Sequence, residues 1–527
     1  MHNINDISIS TSKKYKYYLF INKIYEKYLK EISIILNNIH NVNHSKEYWR
    51  IIIGPWLIIS ISNIFYTLKF HKLKKKNLKK NRYLNSNKTP NDHLDFTKKI
   101  KNEPNWMLCL QSEIFNVNKK KEGKKNLTKN IKNISSYSNF KQRLSFKQKI
   151  IFNIQKLLNF LLIKKNTIYW HSYFSFFKLL KNSLKNKSFN IFDQYNFIFP
   201  KFKYQKQYRT WNISEKNKFE KILNNILPKI CPKTYLEGFQ CIIKKQKKLF
   251  PNRLDSITTG VSYVSDDFFK ILAAEKKLTG TKLYINQHGA QFFKYDPFYI
   301  HVGKISDIFF SWGRGKKNIG NKNIGKKIKT KVIGYPKKEI IINDQKKNYF
   351  AFISINTIGK TVTRYNSHML THTEYNKYLK NIKKFLDQLP KEIRKKIALA
   401  IKEEPDSIKI AKKIFKKDFP EMDLYINSGF HLSKISKMHI STWANTLELE
   451  TININIPTLF VIADEKYELF GDYKKIFFDM KKSGYYFTNL YNAANAILKI
   501  YNNFEKFKLV FLVNNSVKKF KNFFLNK

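Results

Sequence analysis

A histidine and a glycine close an apolar run in "LYINQHGAQFFKYDPF" (residues 283–298), in a chain with only 16 glycines among its 527 residues. At a strand end, His288 could take a proton from an acceptor hydroxyl or hydrogen-bond a phosphate, and Gly289 would let a bulky or phosphorylated ligand approach the backbone. Gln287 stands beside them and is counted with the ligand-binding group. A turn glycine with a strand-capping histidine explains the same residues, and the pair alone does not decide between these readings.

A second cluster lies in "HISTWANTLELETININIPTLF". Ser441, Thr442 and Thr446 follow a strand and open a short helix, where hydroxyls and free amides can hold a phosphate. Glu448 and Glu450 come next, and a carboxylate there could accept hydrogen bonds from sugar or ribose hydroxyls. The competing reading is ordinary N-capping with the glutamates facing solvent. "SINTIGKT" (residues 354–361) nearly spells a phosphate-binding P-loop, with Ser354 in place of its first glycine. Lys360, Thr361 and Arg364 would line that strand end, and Arg364 has the fork that suits phosphate. In "SDIFFSWGRG", Asp307 either caps the preceding turn or positions the His288 loop, and Trp312 is expected in the core. His368 and His372 lack the spacing of a metal site, so no metal or other cofactor is expected.

These residues need elements to place them. From about residue 235 a helix, a short strand "RLDSITTG", a helix "DDFFKILAAEKKLTG" and the strand "TKLYINQHG" follow one another, which is a βαβ unit and predicts a parallel sheet. "DIFFSWG" and "KTKVIGYP" add two strands. After a polar break near residues 337–347 the alternation returns with strands at "YFAFISI", "KIALAIKE", "MDLYINS", "KMHIST" and "IPTLFVIA". Helices fall around residues 374–387 and 407–416 and from about 443, with more closing the chain. The fold class read from this is α/β, two Rossmann-like domains facing a cleft, with extra N-terminal helices over residues 22–70. The domain boundaries are 1–340 and 341–527. Lysine-rich polar stretches near residues 71–104 and 117–147 read as connections, and the segment "IYWHSYFSFFKLLKNSL" as an aromatic and aliphatic stretch.

Composition bounds the rest. A hydrophobic content of 43% and an aromatic content of 16% exclude a mainly disordered chain. Lys and Arg number 100 against 38 Asp and Glu, a formal charge of +62. Lysine mixed with Asn and Ile reads as drift that fills exposed sites, with attraction to anionic lipid head groups or a phosphorylated substrate as the second reading. Specific nucleic-acid binding is not expected. Three scattered cysteines form neither a zinc set nor a disulfide framework, which fits a reducing cytoplasm. The N-terminus has no pattern of a cleaved signal, and the apolar run at residues 51–65, broken by Pro55, is read as a buried helix.

Three blocks together resemble a transferase family encoded in bacterial surface-carbohydrate gene clusters, distantly similar to CDP-glycerol glycerophosphotransferases and to two-Rossmann, GT-B glycosyltransferases. They are "SKEYWRIIIGPWL" (residues 45–57), "QHG" followed by "KISDIFFSWG", and "TLELETININIP" with Thr446, Leu449, Glu450, Asn455 and Pro457. The resemblance implies a GT-B-like fold, acceptor held by the N-terminal half and donor nucleotide by the C-terminal half. It places His288 and Gly289 on the family's His-Gly, and Thr446 and Glu450 on its Thr and Leu-Glu. The second glycine of the pattern is Ala290 here, and an arginine of the second domain's middle strand is Lys402. The function implied is transfer of a sugar or sugar-like group, or a polyol phosphate, from a nucleotide-activated donor to a surface glycan or lipid-linked acceptor. In that scheme His288 is general base or leaving-phosphate stabiliser, Arg364 and Lys402 offset phosphate charge, Ser441, Thr442 and Thr446 bond it, and Glu450 holds donor hydroxyls. The enzyme would work in the cytoplasm, with peripheral contact to the inner face of an anionic membrane. A non-catalytic polyanion-binding protein is the alternative.

Overall fold

The computed structural model describes residues 11–525 apart from 71–83, 118–149, 151–152, 156, 158–165, 173, 175, 187, 189, 193–198, 290–296, 314–328, 336–347, 358–371, 427–428, 444–445 and 464–470. The alternation of strand and helix resolves into two parallel sheets. The first holds β1 (Thr167–Trp170), β2 (Asn190–Ile191), β3 (Ser256–Thr259), β4 (Lys282–Asn286), β5 (Ile308–Ser311) and β6 (Thr330–Val332), in the order β2-β1-β3-β4-β5-β6. The second holds β7 (Tyr349–Ile355), β8 (Ile397–Ile401), β9 (Leu424–Ile426), β10 (Ser436–Ser441), β11 (Thr458–Val461) and β12 (Tyr486–Phe487), in the order β12-β11-β10-β7-β8-β9. Every pairing in both is parallel.

Each order reverses direction once. In the first sheet the chain leaves β1 toward β2 and returns on the other side at β3. In the second it leaves β7 toward β8 and β9 and returns at β10, the strand order of a dinucleotide-binding fold. Ligands of open parallel sheets sit beyond the strand carboxyl ends at such reversals, because the two flanking loops diverge there and leave a crevice.

Local sequence explains these elements well. The helix Asp267–Leu278 begins where the Asp266 carboxylate accepts the Phe269 N–H, and it stops before Gly280, whose φ of 85° favours glycine. The first sheet starts earlier than the alternation suggests. β1 lies inside the aromatic stretch, four residues too short to show a period, and all four are buried. β2 and β12, of two residues each, carry no sequence signal at all.

The N-terminal helices α1 (Thr11–His40) and α2 (Lys46–Phe70) share one core with the first sheet, in which Tyr28, Trp49, Trp56, Trp170, Ile257 and Ile285 are buried. The apolar run at residues 51–65 is a buried helical segment as expected, and Pro55 does not break it: α2 runs through that proline and is 25 residues long in all. Among the described residues it alone is long and apolar enough to span a membrane, yet 83% of its apolar window is buried inside the protein. A helix apolar on every side is a core helix in this setting.

A second core fills the other half, and it contains Trp312, which follows β5. Trp312 is a core residue as predicted, but in the core of the second sheet. The C-terminal helix Asn515–Leu525 reaches the same place: a Cβ on Gly313 would lie 2.0 Å from the Phe523 carbonyl oxygen, and the Tyr335 N–H donates to the Leu525 carbonyl at 3.3 Å. The closing helix thus packs on residues preceding the 340/341 boundary, which itself lies outside the described residues.

Candidate active site

At the carboxyl end of the first sheet, Gln287 is buried and its side chain is spent on the protein. Its Nε2 donates to the Gly289 carbonyl at 2.7 Å, and its Oε1 accepts the Trp312 N–H at 3.0 Å. The amide ties the loop after β4 to the loop after β5, so Gln287 positions the His288 turn, and its predicted ligand contact is replaced by that role. His288 is half-buried beyond this lock, its ring edge-on to Tyr263 at 6.5 Å between centroids. Gly289 is buried beside it.

Tyr263 also stacks on His301, at 6.2 Å. His301 is on the helix Pro297–Ile305, and α2 packs against it through Gly54, where a Cβ would lie 2.8 Å from the Tyr25 hydroxyl and 2.9 Å from His301 Cε1. Arg50 is clamped by Glu26 at 2.8 and 2.9 Å and by Glu47 at 2.7 Å, and Lys304, on the helix of His301, reaches Glu26 at 2.6 Å. Burial pushes the Glu26 carboxyl up, but the hydrogen bonds from Arg50 and Lys304 outweigh it and hold its pKa at about 2. Burial, with the charges of Arg50, Lys270 and Lys304, keeps His301 neutral with a pKa of about 3. The Tyr-Trp-Arg and Gly-Pro-Trp block is therefore the underside of the His288 turn.

Asp307 belongs elsewhere. It precedes β5, accepts the Leu283 N–H at 2.8 Å near the start of β4 and pairs with Lys277 at 2.6 Å. It sits at the amino ends of these strands, the opposite edge from His288, and takes no part in the site.

In the second half, β7 and β10 end level, Ser354 beside Ser441. The Ser441 hydroxyl donates to the buried Glu448 carboxylate, and the Thr442 hydroxyl donates to the Ser354 carbonyl at 2.6 Å. Both predicted phosphate ligands are buried and hydrogen-bonded within the protein: Ser441 braces the loop after β10, and Thr442 also keeps a face on the pocket at these strand ends. Glu448 is correspondingly buried, contrary to a solvated face. Beneath them His439 bridges Ser354 Oγ at 2.9 Å and Thr451 Oγ1 at 3.1 Å and stacks on Phe352 at 4.4 Å. Burial holds it neutral, with a pKa of about 3. Thr446 opens the helix Thr446–Asn453 and is half-buried. Glu450 Oε1 accepts the Tyr335 hydroxyl at 3.1 Å, joining this helix to the segment after β6. Two residues past the helix, Asn455 takes a φ of 63° that suits asparagine, and the Ile456 N–H returns to the Thr451 carbonyl at 2.9 Å. Lys402 is exposed just past the end of β8. Arg364, Lys360, Thr361 and Ala290 lie outside the described residues.

A pocket opens at the same strand ends, lined by Tyr378, Asn381, Phe385, Thr442, Ile462 and Leu490. Its Tyr378 hydroxyl accepts the Asn356 N–H at 2.9 Å, which ties this side of the pocket to the loop after β7. Among the described residues no group of His, Cys, Asp and Glu is arranged to hold a metal ion.

Sequence reasoning passed over His171, Ser262 and Asn286, which gather at the reversal of the first sheet. His171 follows β1 with a φ of 42°, and its Nδ1 lies 2.7 Å from Ser262 Oγ. "YWHSYF" offered a histidine among aromatics, and only its place at a strand end, invisible until β1 is seen, marks it.

The solved structures that the chain resembles include TarM (14% identity, 55% of this chain and 58% of that one, TM-score 0.35). HepE from Anabaena with UDP-glucose is another (10%, 59% and 86%, 0.38), as is the wall teichoic acid polymerase TagF (12%, 55% and 80%, 0.34). The chain thus spans little more than half of the TarM structure. No curated protein matches the sequence. A family model does, that of the LIC12162 family transferases, over residues 4–526. With nearly its whole length matched, the chain belongs to the LIC12162 family of transferases, and it is an enzyme of that class.

Proposed function

We propose that the enzyme moves a sugar, or a sugar-like or polyol-phosphate group, from a nucleotide-activated donor to a glycan acceptor of the cell surface. One observation carries this most: the second sheet has the strand order of a dinucleotide-binding fold, and the pocket lined by Tyr378, Thr442 and Ile462 lies at the carboxyl ends of its strands, beside the reversal between β7 and β10. The nucleotide occupies the space at these strand ends, Thr446 hydrogen-bonds its phosphates, and the charges of Lys402 and Arg364, the latter outside the described residues, offset theirs. The half through residue 340 takes the acceptor, and residues 341–527 take the donor.

In the reaction, the acceptor hydroxyl gives its proton to His288 while its oxygen bonds to the transferred carbon or phosphorus. The bond from that atom to the nucleotide's phosphate oxygen breaks, and the phosphate leaves with the electron pair. Work at the cytoplasmic face of an anionic membrane is consistent with the +62 charge and a lipid-linked acceptor.

Thermal unfolding with CMP, CDP, UDP and GDP and their activated sugars tests the reading. At least one nucleotide raises the melting temperature; Thr446→Ala reduces the rise, and His288→Ala preserves it. Stabilisation by DNA or heparin alone, lost steeply with salt, would favour a polyanion binder instead.

A further inference from the structure

The first sheet has its own reversal, between β1 and β3, one strand away from His288. The register aligns Trp170 with Thr259 and Thr259 with Ile285, so the next residues of the three strands, His171, Gly260 and Asn286, form one layer at the sheet's edge. The middle one is a glycine without a side chain, and its N–H donates to the His171 carbonyl at 2.9 Å. His171 Nδ1 meets Ser262 Oγ at 2.7 Å, joining the two loops that flank the crevice.

Two features here have no structural explanation. His171 holds a φ of 42°, a conformation that costs a side-chain-bearing residue energy and persists where function requires it. Asn286 is 2% exposed; its Nδ2 donates to the Ser172 carbonyl at 2.5 Å, but its buried Oδ1 has no partner among the described residues. A buried acceptor oxygen in a native structure calls for a donor.

We propose that this crevice over Gly260 is the seat of the acceptor's hydroxyl-bearing end. One hydroxyl of a sugar or polyol donates to Asn286 Oδ1, and a neighbouring hydroxyl bonds the His171 imidazole, which Ser262 holds in place. An unpartnered carbonyl oxygen accepts O–H and repels an unprotonated phosphate oxygen, so the subsite selects neutral hydroxylated groups and leaves the phosphates to the second half. The inference rests on the transferase reading and supplies it with acceptor contacts that His288 alone does not provide.

The test uses the full chain and saturation-transfer NMR with methyl glucosides, methyl N-acetylglucosaminide, ribitol and glycerol, and methyl phosphate, read through its methyl protons, as the contrasting probe. At least one hydroxylated probe shows transfer with the wild type, and His171→Gly and Ser262→Ala weaken it roughly tenfold, the loss of one hydrogen bond to a buried group. Glycine accepts the backbone conformation at position 171, so this variant melts no lower than the wild type while losing the ligand. A melting temperature that falls with binding unchanged would make His171 structural and overturn the proposal. So would silence from every hydroxylated probe, wild-type affinity in both variants, or stronger transfer to methyl phosphate. The nucleotide-dependent melting shift is measured on the same proteins: its absence from the wild type counts against the transferase reading, whereas its retention alongside any of these overturning results removes the subsite alone.

Discussion

At the residue scale, the protein uses its polar side chains more for construction than the sequence suggests. Ser441, Thr442 and Gln287 have the types that bind phosphate and sugar, and each is engaged with its own fold. Type and spacing do not distinguish a hydroxyl that faces a ligand from one that braces the loop holding it. His439 is the clearest brace, with both ring nitrogens bonded and its pKa lowered from 6.5 to about 3. Its sign is definite: the folded state resists a proton that the unfolded chain accepts, so its stability contribution is complete above pH 6.5 and is lost as pH falls toward 3. Denaturant unfolding of wild type and His439→Gln at several pH values should show the wild type losing stability more steeply below pH 6.5, by up to about 1.4 kcal/mol per pH unit. Arg50 is a brace of another kind, nearly fully buried against carboxylates that are one-third and one-half exposed. Arg50→Lys loses the fork and should cost on the order of 2 kcal/mol in the same measurement, less than a wholly buried pair because its partners keep some water.

At the element scale, the long strands and helices with clear periods were legible, and so was the glycine stop after Leu278. The sequence did not reveal β1, because a threonine followed by three aliphatic and aromatic residues, all buried, carries no alternation, and with β1 went the crevice it borders. Asp307 was misplaced for a related reason: a carboxylate before a strand lies at the sheet's amino edge, and only the assembled register shows that His288 lies at the other. The Gly-Pro-Trp block of α2 has its effect through packing, Gly54 giving the space that His301 and Tyr25 occupy. Gly54→Ala should destabilise the fold by about 1–3 kcal/mol, seen as a lower denaturant midpoint with an unchanged m-value. It should also lower turnover, since His301 and Tyr263 lie beneath the His288 turn.

At the scale of the whole molecule, two parallel sheets each reverse direction once, and the transfer chemistry proposed here needs both reversals, one for the acceptor and one for the nucleotide. The halves are tied by Trp312 entering the second core and by the C-terminal helix closing over Gly313. Gly313→Ala drives a Cβ into the Phe523 backbone, which has no rotamer to yield, so the helix must undock; limited proteolysis should then cleave near the C-terminus faster than in the wild type. The central claim is transfer from a nucleotide-activated donor with His288 taking the proton. Its most direct measurement is chromatographic detection of nucleotide released from a panel of nucleotide-activated sugars and CDP-polyols, incubated with a lipid-linked glycan fraction. The account predicts acceptor-dependent release from one class of donor, lowered about 100-fold or more in His288→Ala. Release from no donor above the protein-free blank, or equal release by the His288 variant, would contradict it.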